Sequence, residues 1–189
     1  MELFRNLRIL AGKSVLSGKI SKSTRKPHYI NFFNIKNIGL VWDASRPEEF
    51  VLLSRFCQKM AEQKIEVKVL GFYPGKKLPD QYTAIRFLTC LKKNEVDFLY
   101  RPVTSESNEF IKNRFDVLID LNFRKLFPLV YVSSLSEASL KVGLADSKPE
   151  SSPFDLMISL KNTVTIDEYL EQVLLYLEMI NSKTVKKAV

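Results

Sequence analysis

The stretch FDVLIDLNFRKLFPLVYVSSLSEASLKVGL, residues 115–144, decides the fold. Asp116 to Leu121 runs Val, Leu and Ile in succession instead of alternating apolar with polar, which marks a strand buried on both faces. A polar turn follows from Asn122 to Lys125. Leu126 to Ala138 is then long and apolar enough for a helix, although Val130, Tyr131 and Val132 are poor helix formers. Leu140 to Leu144 is a second short strand. Strand, helix and strand in this order make one α/β repeat of a parallel sheet, and in such sheets ligands bind at the loops after the strands.

The same pattern extends outward on both sides. Ile38–Trp42 is an apolar run that stops at Asp43-Ala44-Ser45. Pro47–Lys64 places Phe50, Leu53, Phe56, Cys57, Met60 and Ala61 on one helical face, and Glu66–Tyr73 reads as the next strand. Residues 82–93 fit neither period. Val96–Tyr100 reads as a strand stopped by Arg101-Pro102, and Ser107–Arg114 as a short helix. Asp155–Ser159 reads as a strand. Ile166–Ile180 reads as an amphipathic helix opened by the T-x-x-E pair Thr165 and Glu168. Together these elements predict a three-layer α/β domain, Rossmann-like or flavodoxin-like, with a mainly parallel sheet of about five or six strands. Ile38–Trp42, Val67–Phe72 and Val117–Leu121 are expected side by side.

The chain has 189 residues, 46% of them hydrophobic and 26% charged, which suits one globular domain. The expected division is a basic helix and linker at 1–28, an α/β domain at 29–181 and a basic tail at 182–189. The net charge of +8 is unevenly spread. Before Tyr29 seven basic residues face Glu2 alone, for +6, and Lys183, Lys186 and Lys187 add +3 at the other end, leaving the body at −1. Nucleic-acid-binding folds carry a basic face on the body itself, so a nucleic-acid partner is not expected.

Residues Glu2–Ile20 have helical spacing, with Leu3, Phe4, Leu7, Leu10, Ala11 and Val15 on one face and Gly12 and Gly18 interrupting. The stripe is expected to pack on the body or on a second copy of the chain. Attachment to an anionic membrane surface is the alternative. No stretch approaches the roughly 20 apolar residues of a membrane span. Arg5 and Arg8 break the opening MELFRNLRIL, so no secretory signal is expected either. Two cysteines suggest a reducing compartment and a cytoplasmic location, with peripheral attachment to the inner membrane as the alternative.

The residues that could carry chemistry sit at strand ends. Asp43, Ser45 and Arg46 follow the first strand, and Asp120, Asn122 and Arg124 follow the central one. These six are the candidate ligand-binding residues. Arg46, Arg124, Lys125, Lys76, Lys77 and Arg101 would form a basic rim on the same edge, suited to a small anion. Ser45 and Glu48 have capping-box spacing, and capping is the expected role for both. The turn after the first strand has no glycine, so it is neither a dinucleotide nor a phosphate loop. His28 is the only histidine, and Cys57 and Cys90 lack a partner at ligand or nucleophile spacing. No catalytic residue, metal or cofactor is expected, and the function that follows is binding of a partner or a small anionic ligand by a non-catalytic domain. An enzyme acting on a phosphorylated or sugar substrate, with Asp43, Asp120 and Asn122 at its site, is the alternative.

Two resemblances accompany this reading. IGLVWDAS, VKVLGFY, FLYRP, FDVLIDLN, KVGL, FDLMISL and the closing helix together resemble an uncharacterised family of small proteins from Bacteroidetes-type bacteria. That resemblance implies a cytoplasmic bacterial origin. Residues 115–144 alone are similar to a strand–helix–strand of the N-terminal domain of heptosyltransferase-like glycosyltransferases. There Asp120 matches an IDL strand end, and Lys141-Val142-Gly143 matches an R-[IV]-G strand. Those enzymes have a glycine–aspartate turn where this chain has Asp43-Ala44-Ser45, and they use a second α/β domain. The likeness therefore implies the fold more than sugar transfer.

Overall fold

The structure, a computed structural model, describes residues 2–146, 152–160 and 165–180. The tail 182–189 lies outside the described residues. Six strands form one all-parallel sheet: β1 (Asn37–Asp43), β2 (Glu66–Tyr73), β3 (Leu88–Lys92), β4 (Val117–Leu121), β5 (Leu140–Leu144) and β6 (Leu156–Ile158). Their order is β3-β2-β1-β4-β5-β6. This is the Rossmann order, in which the chain reverses direction across the sheet between β1 and β4. The three strands expected side by side are the three central ones, with Leu40 opposite both Val69 of β2 and Ile119 of β4.

The centre is buried because every position of β4 is apolar or internally bonded. Ile38, Leu40, Trp42, Val117 and Ile119 are inaccessible to solvent. Helices α2 (Phe50–Glu62) and α5 (Ile166–Met179) cover one face with Leu53, Phe56, Met60, Tyr169, Val173 and Leu177. Helices α3 (Ser105–Lys112) and α4 (Phe127–Leu135) cover the other with Phe110, Leu129 and Val132. Each large side chain so buried contributes roughly 1.5–3 kcal/mol, which is why the three layers cohere. Thr104 and Thr165 cap α3 and α5, accepting from the N–H groups of Ser107 and Glu168.

Two expected elements differ. Val96–Tyr100 is not a strand: Val96 and Pro102 form an isolated antiparallel bridge around Tyr100, whose φ is 61°. The Asp97 carboxylate organises that loop, accepting from the backbone N–H of Leu99 at 2.8 Å and of Arg101 at 2.9 Å. The strand beside β2 is instead Leu88–Lys92, within the stretch that fitted neither period. It is an edge strand and only half buried, so its pattern is weak.

Helix α1 (Glu2–Ile20) has the expected bounds, but it docks by a different face. Gly12 and Leu16 are buried against α4, with Phe127 and Tyr131, while Phe4, Leu7, Leu10 and Val15 face solvent. Gly12 is the reason. A Cβ there would stand 2.6 Å from the Leu99 carbonyl oxygen and 2.7 Å from the Phe127 ring. Only glycine lets the two backbones approach so closely. The expectation that the apolar stripe packs on the body is therefore overturned. The side chain of Leu3 lies outside the described residues.

The segment 21–28, which reads as a linker, is anchored through Arg25. Its guanidinium pairs with Asp155, donates from Nε to the Ala138 carbonyl at 2.6 Å, and donates from Nη2 to the Ser139 carbonyl at 3.1 Å. The His28 N–H donates to the Ser139 carbonyl at 2.9 Å. Both charges are largely buried, so removing one leaves the other uncompensated. Arg25→Ala should therefore lower unfolding free energy by about 3 kcal/mol in urea titration, whereas a loss under about 1 kcal/mol would mean an exposed-type pair.

Candidate functional site

At the β1–β4 reversal the six candidate residues can be placed one by one. Asp43 ends β1 opposite Phe72 of β2, and two residues on from Val41 it shares the face covered by α3 and α4. Its side chain is buried. Oδ1 accepts from the Ser45 N–H at 3.1 Å and the Ser45 hydroxyl at 2.7 Å, and Oδ2 accepts from Arg124 Nε at 2.5 Å. Arg124 Nη2 also donates to Ser45 Oγ. Three of the six thus form one cluster joining the β1 end to the β4 end.

Asp120 and Asn122 stand beside this cluster but turn to their own chain. Asp120 Oδ1 accepts from the Asn122 N–H at 2.8 Å, and Oδ2 accepts from the Ser133 hydroxyl of α4. The Asn122 amide closes the turn into α4, accepting from the Leu126 N–H at 2.8 Å and donating to its carbonyl at 3.0 Å. This is local side-chain capping, with Lys125 taking φ 54° to complete the turn.

Arg46 lies apart from the cluster and pairs with Glu49 at 2.6 Å and Glu48 at 3.4 Å. The expected Ser45–Glu48 capping box is overturned. The first turn at Pro47–Glu49 has Arg46 at its N-cap and no side-chain cap bond. Ser45 is drawn instead to Asp43 and to Arg124, a partner 79 residues away. The basic rim is largely neutralised in place: Lys125 pairs with Asp146 at 2.5 Å and Arg101 with Asp97 at 2.6 Å.

On the opposite side of the sheet the edge is filled with rings. Tyr82 packs edge-on to Trp42 with centroids 5.4 Å apart and to Phe50 at 5.3 Å, and its hydroxyl donates to the Ala44 carbonyl at 3.0 Å. Burial pushes the Glu49 carboxyl above its ordinary value, while Arg46 and the Trp42 indole pull it back. Trp42 Nε1 and the Tyr169 hydroxyl are buried and form no well-aligned hydrogen bond with a described residue, the Glu49 carboxylate acting on the indole without one. A groove of about 560 Å³ lies elsewhere, between α3 and the amino ends of β2 and β3. Its rim mixes Lys68, Arg86 and Lys112 with Glu106 and Glu109, so it has no dominant charge. Burial pushes both thiols, Cys57 and Cys90, up to about 12, which leaves neither as a thiolate at neutral pH.

Sequence reading missed the partners of these residues. Ser133 sits inside a helix and carries no local sign of bonding Asp120. At the amino ends of β1 and β4, Asp116 Oδ2 accepts from the N–H groups of Lys36 and Asn37, and Asn37 Oδ1 accepts from the Asp116 N–H. The central strands are therefore tied at both ends by side chains.

Desolvation raises Asp120 from its ordinary 3.8 to about 6, against the opposing pull of Ser133 and the Asn122 amide. A carboxyl raised on folding contributes stability that is fully present below pH ~4 and is lost as pH rises through ~6. Asp120→Asn mimics the protonated form. The stability of the native chain relative to this variant should therefore fall by about 2–3 kcal/mol between pH 4 and pH 6. A pH-independent difference in urea titrations would show that Asp120 stays ionised throughout.

No curated protein and no solved structure matches the chain. A profile described as a family of unknown function (DUF6913) matches residues 10–180, which spans α1 from its middle through the end of α5. That match covers the whole sheet and the Asp43–Arg124 cluster, and the chain belongs to the DUF6913 family.

Proposed function

We propose that the protein is a non-catalytic α/β interaction domain, in which the sheet is a rigid frame and recognition occurs on its surface. The observation that carries this reading is that the strand-end cluster is buried and bonded to its own chain. Both oxygens of Asp43, both oxygens of Asp120 and the amide of Asn122 already have partners within the chain. A general base or a ligand-binding carboxylate needs an oxygen directed at the substrate. Of the two occupants considered for the sheet edge, a partner fits better than a small anion, because the arginines there are paired with carboxylates. The cytoplasmic bacterial setting implied by the family resemblance belongs to this proposal. So does the absence of sugar transfer, since Asp120 holds α4 in place.

One observation favours the anion reading. Arg124 keeps 52% of its side chain exposed, and Lys76 and Lys77 are exposed on the same edge. A thermal-shift series with millimolar inorganic phosphate, nucleoside phosphates and sugar phosphates separates the two. The proposal expects no shift. A ligand present at about 100 times its Kd would stabilise the fold by about 2.7 kcal/mol, a rise of a few degrees in Tm. Such a rise, lost in Arg124→Ala, would overturn the proposal.

A further inference from the structure

The outer face of α1 is apolar and exposed, and the fold does not use it. Phe4 is 71% exposed, Leu10 60% and Leu7 55%, with Ala11 and Val15 on the same side. A Cβ on Gly18, one turn further on, would meet nothing within 4 Å. The face is not left over from poor packing, because α1 is held firmly from behind. Gly12 and Leu16 seat it on α4, Arg8 Nε donates to the Phe98 carbonyl at 2.5 Å, and Lys19 Nζ donates to the Tyr131 hydroxyl at 2.7 Å. The Arg8 guanidinium also lies 4.1 Å above the Phe98 ring, and Phe98 itself is 70% exposed, so the apolar surface continues past the helix.

Charge says what covers this face. Three of the seven basic residues before Tyr29 are engaged with the body: Arg8, Lys19 and Arg25. The other four, Arg5, Lys13, Lys22 and Lys26, are exposed and form no ion pair with any described residue. The body also has exposed cations without an ion pair to a described residue, Lys76, Lys77 and Arg86 among them, but its net charge is −1 against +6 for the segment before Tyr29, so the positive charge is concentrated beside α1. Apolar side chains on a helix that carries Arg5 and Lys13, with Lys22 and Lys26 just beyond its end, form the pattern that lies in the plane of an anionic lipid surface. A second copy fits less well. It would bring a second +6 segment against the first. The stripe also offers a handful of residues where a stable protein interface uses roughly 20–30 a side. No helix of the described residues is long and apolar enough to cross a membrane, so the contact would be peripheral.

We infer that α1 docks the domain on an anionic lipid surface, with Phe4, Leu7, Leu10 and Val15 entering the headgroup boundary and Arg5, Lys13, Lys22 and Lys26 meeting lipid phosphates and carboxylates. This names the partner class of the interaction domain proposed above and rests on that reading.

The test is flotation of the full chain with vesicles of phosphatidylcholine alone or of phosphatidylcholine mixed with phosphatidylserine. The expected result is co-flotation with the mixed vesicles only, reversed by salt. Lys13→Gln should weaken partitioning about fivefold, the effect of one basic residue near the surface. Leu7→Ser with Leu10→Ser should weaken it at least about a hundredfold. Both leucines are exposed, so circular dichroism and Tm of the double variant should match the native chain. Three outcomes would each overturn the inference: no flotation with the mixed vesicles, flotation unchanged in the leucine variant, or a dimer in light scattering that the leucine variant dissociates. None of them bears on the thermal-shift series, so failure here is distinguishable from failure of the interaction-domain reading.

Discussion

The ion pair between Arg124 and Asp43 joins the two strands on which the rest of the sheet is laid. β1 and β4 are the centre of the six-stranded order, and the chain changes direction between them. Their side chains are dry, so a carboxylate at the end of β1 is affordable only with a charged partner and further donors. Arg124 and Ser45 supply them. The turn that carries Arg124 is set in turn by Asn122 and by Asp120, which grips α4 through Ser133. Strand ends, turn and helix are therefore one hydrogen-bonded unit, and the amino ends are tied separately through Asp116 and Asn37.

This constraint shapes what the fold can do. The Rossmann order normally leaves a crevice at the reversal, where a glycine-rich turn admits a phosphate. Here that turn is Asp43-Ala44-Ser45-Arg46, bound to the neighbouring strand end on one side and overlain by Tyr82 on the other. The architecture of a nucleotide-binding sheet has its usual opening occupied by its own side chains. The recognition surfaces proposed above lie further out, as on the face of α1 that the frame holds in place without covering.

The fold was legible where burial is two-sided. β1, β2, β4 and β5 are apolar on both faces apart from their end residues and Lys68, Asp120 and Lys141, and a parallel sheet covered by helices buries such strands. It was less legible at Leu88–Lys92, where Thr89 and Lys92 dilute the pattern of an edge strand, and at Val96–Tyr100, where an apolar run bends through a left-handed Tyr100. The strand-end residues could be listed from sequence because β strands in one parallel sheet end on one edge. Their roles could not. Ser45 has the local spacing of a helix cap, yet a charged partner 79 residues distant outweighs it. Helix α1 shows the same limit. Its bounds follow from periodicity, but the docking face was chosen by Gly12, whose value lies in what it lets approach.

The claim that the strand-end cluster is structural rather than a binding site is tested most directly by a double-mutant cycle on Asp43 and Arg124, measured by urea unfolding of Asp43→Ala, Arg124→Ala and the double variant. Because one partner is buried and the other half-exposed, the expected coupling is about 1–2 kcal/mol, above the range of exposed surface pairs. Additive effects, with both single variants as stable as the native chain, would mean that the two groups do not hold the strand ends together and stand free for a ligand.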